Sequence, residues 1–243
     1  MISLAIFTSK NSFPTYIATL ESFFDKCEDL FLINEIILVD DRSDEKNRRY
    51  YLEAIKKILN INKITIIHKN NNSVFNHAEI CETFRAYIIN SKNKYVFILE
   101  DDWFFIKNFS LKCFSNILEK ESYSQILLTN AINLFMRENL LDLKMSSHEN
   151  FYLNNQGKFY TISERVEKNI YLWHEVYGYN HFSLNPSLTK IEFLNKNGEF
   201  SNTITFEIDY NIKASHNGMD INLLSGDPYA VHIGKYKKLW QDI

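Results

Sequence analysis

The sequence is poor in the residues that most often shape phosphate loops. Among 243 residues there are only 6 Gly and 3 Pro. That excludes collagen-like, elastic and Pro/Gly-rich disordered classes. It also argues against a many-turned barrel. Neither G-x-G-x-x-G nor a Walker loop occurs, so a glycine-rich phosphate cradle is excluded. Cysteine is scarce too, at 3, and odd in number. Cys27, Cys81 and Cys113 fall in apolar periodic segments and read as buried free thiols in a reducing compartment. No strong charge of one sign exists, since the net charge is −3. A protein that lives on nucleic acid would carry a basic footprint. No apolar run approaches the roughly 18 residues of a membrane span. The opening Met1–Lys10 lacks a basic region and reads as a first strand, not a signal peptide.

Hydrophobic residues make up 45% and charged residues 23%, which is ordinary for a globular chain with a proper core. The excess of 28 Asn and 29 Ile is compatible with AT-rich coding. Apolar runs and helical periodicities alternate along the first half. The pattern predicts strands at 2–7, 35–40, 64–67, 95–99 and 125–128, with helices from Pro14 and over 44–60, 74–90 and 109–120. Strands that are apolar on both faces predict a parallel sheet covered by helices on both sides. Ligands of such sheets bind beyond the carboxyl ends of the strands. After Asn130 the rhythm weakens. Strands are expected near 182–184 and 229–233, and a helix over 205–215. No linker or repeat separates the halves. A single domain over 1–243 is expected, with a nucleotide-binding half (1–130) and an acceptor-binding half (131–243).

Two strand ends are acidic. Glu100-Asp101-Asp102 follows one buried strand, and adjacent carboxylates repel unless a cation or a proton intervenes. Mg²⁺ and Mn²⁺ take one or two protein carboxylates and leave other positions to water and phosphates. A metal could therefore replace the missing glycine loop. An acidic turn or helix cap is the plainer alternative. Asp40-Asp41-Arg42-Ser43 follows another strand. It reads either as a helix-capping turn or as carboxylates for a base or ribose.

These residues together resemble the GT-A-fold nucleotide-sugar glycosyltransferases, family 2-like in particular. The strand ending in Thr8-Ser9 resembles their nucleotide loop. Asp40-Asp41-Arg42-Ser43 resembles their D-D-x-S element, and Glu100-Asp101-Asp102 their D-x-D-type motif. Asn70–Arg85 takes the place of an Asn/Gly-rich segment, with Asn where the glycines stand. The resemblance implies a Rossmann-like, mostly parallel α/β sheet with a variable C-terminal acceptor-side region. It implies that Thr8, Ser9, Asp40, Asp41, Glu100 and Asp101 bind a UDP- or GDP-linked sugar. Asp40 would meet the base and Asp101 the ribose. Asp102 and His232 would hold Mn²⁺ or Mg²⁺. Glu207, or Asp209 in the same Phe206-Glu207-Ile208-Asp209 segment, would be the catalytic base of an inverting enzyme. Trp173 and Gly178 would belong to an acceptor-side loop.

Each has an ordinary reading as well. Glu207 and Asp209 suit the first turn of a helix. His232 suits a half-buried histidine beside a short strand. Trp103, Trp173 and Tyr179 suit a core. The implied reaction is metal-dependent sugar transfer to a hydroxyl of a glycan or lipid-linked acceptor. The expected location is cytoplasmic, with the basic, aromatic tail Lys235–Trp240 a candidate for membrane-surface contact. A sugar-nucleotide pyrophosphorylase would normally need a glycine-rich signature loop. A glycoside hydrolase would need no base-contacting Asp. A non-catalytic carbohydrate-binding or scaffold protein on the same fold is the alternative from another class.

Overall fold

The computed structural model describes residues 1–9, 12–58, 64–69, 77–120, 123–128, 159–161, 183–203, 206–217, 223–225 and 229–234. The first four long strands are β1 (Ile2–Ser9), β2 (Ile33–Asp41), β3 (Ile64–Lys69) and β4 (Tyr95–Glu100). They pair in parallel in the order β3-β2-β1-β4. Between and after them run helices α1 (Phe13–Lys26), α2 (Glu45–Ile58), α3 (His77–Ile88) and α4 (Leu111–Lys120).

Alternation along β1 explains the layering. Leu4 and Ile6 pack with Leu20, Phe23, Tyr51 and Phe114 of α1, α2 and α4. Ala5 and Phe7 point the other way, against Ile80, Cys81 and Phe84 of α3. A strand's side chains change face at every residue, so both faces of this sheet are covered.

Beyond β4 the direction changes. The remaining strands are β6 (Gln125–Leu127), β7 (Phe159–Thr161), β8 (Ser187–Lys190) and β9 (Leu223–Ser225), which complete an eight-stranded sheet. In that sheet β8 runs antiparallel to both β4 and β6. A separate ribbon pairs β5 (Trp103–Phe105) with β10 (Ala230–His232), antiparallel, Trp103 opposite His232. Two further helices, α5 (Ile191–Asn197) and α6 (Phe206–His216), join the α3 face through Leu194, Phe206 and Tyr210.

Two sequence expectations are corrected. The strand placed near 182–184 is bent chain over 183–186, and the strand proper is β8. Pro186 accounts for the shift, because it lacks an N–H and restricts the residue before it. Cys113 is exposed, whereas Cys27 and Cys81 are buried as expected. In α4 the inward positions are Leu111, Phe114 and Leu118, and Cys113 falls off that stripe. The short strands β5, β7 and β9 lie outside the strands expected from the sequence.

Candidate functional site

The carboxyl ends of β1, β2, β3 and β4 share one edge, and the acidic residues stand on it. Ser9 is opposite Asp41 and Thr8 opposite Asp40 in the β1–β2 register, while Asp40 is opposite His68 in β2–β3. Six of the sequence candidates, Thr8, Ser9, Asp40, Asp41, Glu100 and Asp101, are thus brought to one edge. Asp101 is buried, and its Oδ2 accepts the Ser9 N–H at 3.1 Å, tying the end of β4 to that of β1.

Asp40 is enclosed. Its side chain has no exposed surface. Its Oδ1 accepts the Ser43 N–H at 3.2 Å, and its Oδ2 lies 2.9 Å from His68 Nδ1 and 3.7 Å from Arg48 Nε. Burial raises its pKa, and the hydrogen bonds and charge of Ser43 and His68 oppose that rise. Arg42 makes this geometry. Its φ of 68° is left-handed, a conformation that costs a bulky residue roughly 1–3 kcal/mol. The turn brings the Ser43 N–H back onto Asp40. Arg42 is held by a forked pair to Asp41, with Nε–Oδ1 at 3.0 Å and Nη2–Oδ2 at 3.3 Å. Burial pushes the Asp41 carboxyl up, but His77 and Arg42 together bring it below its ordinary value.

Two buried hydroxyls at this end, Thr8 Oγ1 and Ser43 Oγ, have no hydrogen-bond partner in good geometry. Both nevertheless lie close enough to the Tyr51 phenol to offset part of the rise that burial imposes on it. A buried polar atom left without a partner is uncommon, and a ligand is one way to satisfy it.

The other end of the edge is built by the β5–β10 ribbon. Because Trp103 pairs with His232, the imidazole lies over the end of β4, and its Nε2 is 3.2 Å from Asp102 Oδ2. The Ile233 N–H donates to the Asp102 carbonyl at 2.7 Å, and the Trp103 ring meets the His232 ring edge-on at 5.2 Å. Gly234 closes the turn. A Cβ there would stand 2.5 Å from His232 Cε1 and 2.6 Å from Asp102 Oδ2, so any larger residue would displace the pair. Glu100 accepts from Trp103 Nε1 at 3.1 Å, and burial and the Asp102 charge raise its pKa.

The pair fits a hard divalent cation. Two neighbouring ligands of an octahedral ion at about 2.1 Å stand about 3.0 Å apart, close to the observed separation. Among the described residues no group of three or more His, Cys, Asp or Glu could hold a metal alone. A carboxylate and substrate phosphates are oxygen donors such an ion accepts, and the imidazole favours a transition-metal ion over Mg²⁺.

On the far side stands α6. Glu207 is half-buried in its first turn, with its pKa pushed up to about 8 by burial and by the Glu100 charge, against a hydrogen bond from the Leu184 backbone. Its field coupling to Glu100 places it toward the acidic edge. Asp209 is differently engaged: its Oδ2 accepts the Ser201 and Thr203 hydroxyls, each at 2.6 Å. Trp173 and Gly178 lie outside the described residues.

Two histidines were missed in the sequence. His68 meets Asp40 across 28 residues. Counting both strands back from their ends would have paired them. His77 opens α3 and sits 3.8 Å from Asp41, with its ring against Phe7 and Phe206. Burial opposes its charge, but Cys81, Asp41 and Glu100 reverse the balance and push its pKa up to about 10. Perturbed groups crowded at one sheet edge mark a functional site.

The fold and this edge define a class: an α/β protein whose mostly parallel sheet is tipped by carboxylates. Solved structures give the fold itself. S. aureus TarS 1–349 superimposes with a TM-score of 0.61 at 14% identity, over 98% of this chain and 61% of that one. TarS 1–349 in complex with UDP-GlcNAc gives 0.58 at 15% identity, over 95% and 57%. GalNAc-T7 with UDP, GalNAc and Mn²⁺ gives 0.61 at 11% identity, over 96% and 43%. The protein has the GT-A fold. It spans less than two thirds of each of these chains. No protein-family model matches the sequence, and no curated protein sequence matches it significantly.

Proposed function

We propose that the protein is a glycosyltransferase that moves a sugar from a nucleoside-diphosphate sugar to a hydroxyl acceptor, metal-dependent and inverting. The carrying observation is the Asp102–His232 pair at 3.2 Å, backed by a glycine whose replacement would force the pair to shift. Fold neighbours solved with UDP, UDP-GlcNAc and Mn²⁺ support the same reading.

In this reading Asp102 and His232 hold Mn²⁺ or Mg²⁺, which when bound offsets the charge left on the diphosphate. Ser9 and Asp101 present the ribose end, and the Asp40 region the base. Glu207 takes the proton of the acceptor hydroxyl as it attacks. A carboxyl raised to about 8 is a stronger proton acceptor once ionised than an ordinary glutamate. Glu207 leads Asp209 for this role, since the Asp209 oxygen is already engaged by two hydroxyls. The acceptor is a glycan or a lipid-linked hydroxyl. No helix among the described residues is long and apolar enough to cross a membrane.

The test is thermal stabilisation by UDP and GDP with and without Mn²⁺, followed by a screen of nucleotide sugars for metal-dependent hydrolysis and transfer. Asp102→Ala should remove the metal-dependent part of both. Glu207→Gln should keep nucleotide binding and lose transfer. Full metal-dependent turnover in Asp102→Ala would sink the assignment.

A further inference from the structure

Two tyrosines stand together behind the acidic edge, Tyr16 on α1 and Tyr51 on α2. Both are fully buried, with ring centroids 4.5 Å apart. A phenylalanine ring would fill either place, so what distinguishes the two is where each hydroxyl goes. Tyr16 donates to the backbone carbonyl of Tyr51 at 3.3 Å, within the helical layer. Tyr51 donates to the carbonyl of Ser9, the last residue of β1, at 3.2 Å. The same carbonyl accepts the Ser12 N–H at 3.3 Å, and the Ser9 N–H donates to Asp101 Oδ2 at 3.1 Å. Ser9 is thus held from three directions, by the residue that leads into α1, by α2 and by the end of β4. The buried Thr8 and Ser43 hydroxyls, which have no partner in good geometry, lie beside the Tyr51 phenol. Burial raises the phenol's pKa. The two hydroxyls oppose the rise and the Asp101 and Asp40 charges add to it, so at neutral pH Tyr51 remains a donor.

We infer that Tyr51 is a positioning residue for nucleotide binding, holding Ser9 so that Asp101 keeps its place on the sheet edge. This rests on the glycosyltransferase reading above, in which Ser9 and Asp101 present the ribose end, and adds a residue to it. Tyr51 has no exposed surface and touches no ligand. Its effect passes through one hydrogen bond to a backbone carbonyl. A phenylalanine there would remove that bond and leave the end of β1 with one restraint fewer. Ser9 and Asp101 move together, because the Ser9 N–H is bonded to the carboxylate. Asp102, His232 and Glu207 stand on other segments, the β5–β10 ribbon and α6. Loss of the Tyr51 hydroxyl should therefore weaken binding and spare the chemical step.

The experiment is calorimetric binding of UDP and GDP to the full chain with Mn²⁺, for the unaltered protein, Tyr51→Phe and Tyr16→Phe. Steady-state kinetics on whichever nucleotide sugar is turned over accompany it. Tyr51→Phe should weaken the bound nucleoside diphosphate about five- to tenfold, the worth of one buried hydrogen bond, and raise the donor KM by a similar factor. Its kcat should stay within about twofold of the parent's. Tyr16→Phe removes a hydroxyl of equal burial that does not reach Ser9, and should leave affinity within about twofold. Para-aminophenylalanine at position 51 keeps a donor and should restore affinity to within about twofold. Unchanged nucleotide affinity in Tyr51→Phe overturns the inference. So does an equal loss in Tyr16→Phe, or a loss that falls on kcat with KM unmoved. Failure of the unaltered protein to bind either nucleoside diphosphate with Mn²⁺ overturns the glycosyltransferase reading instead. If Tyr51→Phe does not fold, para-methylphenylalanine at that position fills the hydroxyl's space without donating, and the same affinities decide the matter.

Discussion

Two aspartate–histidine pairs stand at opposite ends of one sheet edge. Asp40 with His68 and Asp102 with His232 have the same chemistry and similar separations, 2.9 Å and 3.2 Å. Their surroundings are opposite. Asp40 is enclosed by donors, the Ser43 N–H and the Arg48 guanidinium among them. Asp102 has Glu100 two residues away, and the repulsion between them contributes to the raised pKa of Glu100. The donors around the first pair offset part of the cost of burying Asp40. The second lies beside Glu100, whose pKa the Asp102 charge helps to raise, and a cation would relieve that repulsion. What a carboxylate–imidazole pair does is therefore decided by the charges packed behind it.

The largest effect should come from a third carboxylate, one without an imidazole partner. Glu207 rises to about 8 through burial and the Glu100 charge. As a base it must be ionised, so kcat/KM should climb as pH rises through that value. Glu207→Gln should lower kcat roughly 10²–10⁴-fold and erase the alkaline rise. Stability should move the other way. Between the ordinary glutamate value of 4.5 and about 8, the folded state keeps a proton that the unfolded state has lost. Native stability therefore falls as pH rises through that window, and Glu207→Gln should escape the fall. At pH 8 its thermal midpoint should exceed the parent's by roughly 2–4 °C per kcal/mol recovered. A lower midpoint at pH 8 and no change in pH profile would contradict the assignment.

Next comes the glycine that distinguishes the second pair. Gly234→Ala puts a methyl 2.5 Å from the His232 ring and 2.6 Å from Asp102. The pair must separate, and Mn²⁺ affinity should fall about 10–100-fold. Titrating Mn²⁺ against nucleotide binding reads this directly. The Asp40–His68 pair should be undisturbed, because it lies across the sheet from the ribbon. Loss of both together would break the comparison.

The two aspartates should also differ in what they contribute to folding. Asp40→Ala strips the partner from a buried Ser43 N–H and from His68, and should cost about 1–3 kcal/mol. Asp102→Ala relieves repulsion with Glu100 and should change metal-free stability by less than about 1 kcal/mol. Denaturant unfolding of both variants without metal gives the two values. Equal losses would mean that the surroundings do not differ as described.

The acidic edge was legible because a parallel sheet buried on both faces leaves little ambiguity about where its polar residues can go. Val39-Asp40 and Leu99-Glu100 mark abrupt changes from apolar to charged, and β1, β2 and β4 end there. The histidines were less legible. His68 lies in an ordinary Ile-Ile-His-Lys run, and only the β2–β3 register gives it a partner. His77 depends on where α3 begins, and helix starts are set by caps and packing more than by periodicity. His232 was legible for a local reason, a glycine two residues on. The exposure of Cys113 was missed because an apolar-looking cysteine can sit just off the inward stripe of a helix.

Glu207 and Asp209 could not be separated in the sequence, since two acids in the first turn of a helix are equally favoured by its dipole. The structure distinguishes them by what lies in front. Asp209 faces Ser201 and Thr203, in the segment that leads into α6, and its Oδ2 accepts from both hydroxyls. That arrangement fastens the segment before the helix to its first turn, as a local cap would, and occupies the Asp209 oxygen. Asp209→Ala should therefore cost only about 0.5–2 kcal/mol of stability. Asp209→Asn, which keeps an oxygen acceptor, should recover part of it. Turnover at saturating substrate should stay within about threefold, since the group touches no reactant. A fall in kcat comparable with that of Glu207→Gln, with stability unchanged, would reverse the two roles and move the base two residues along α6.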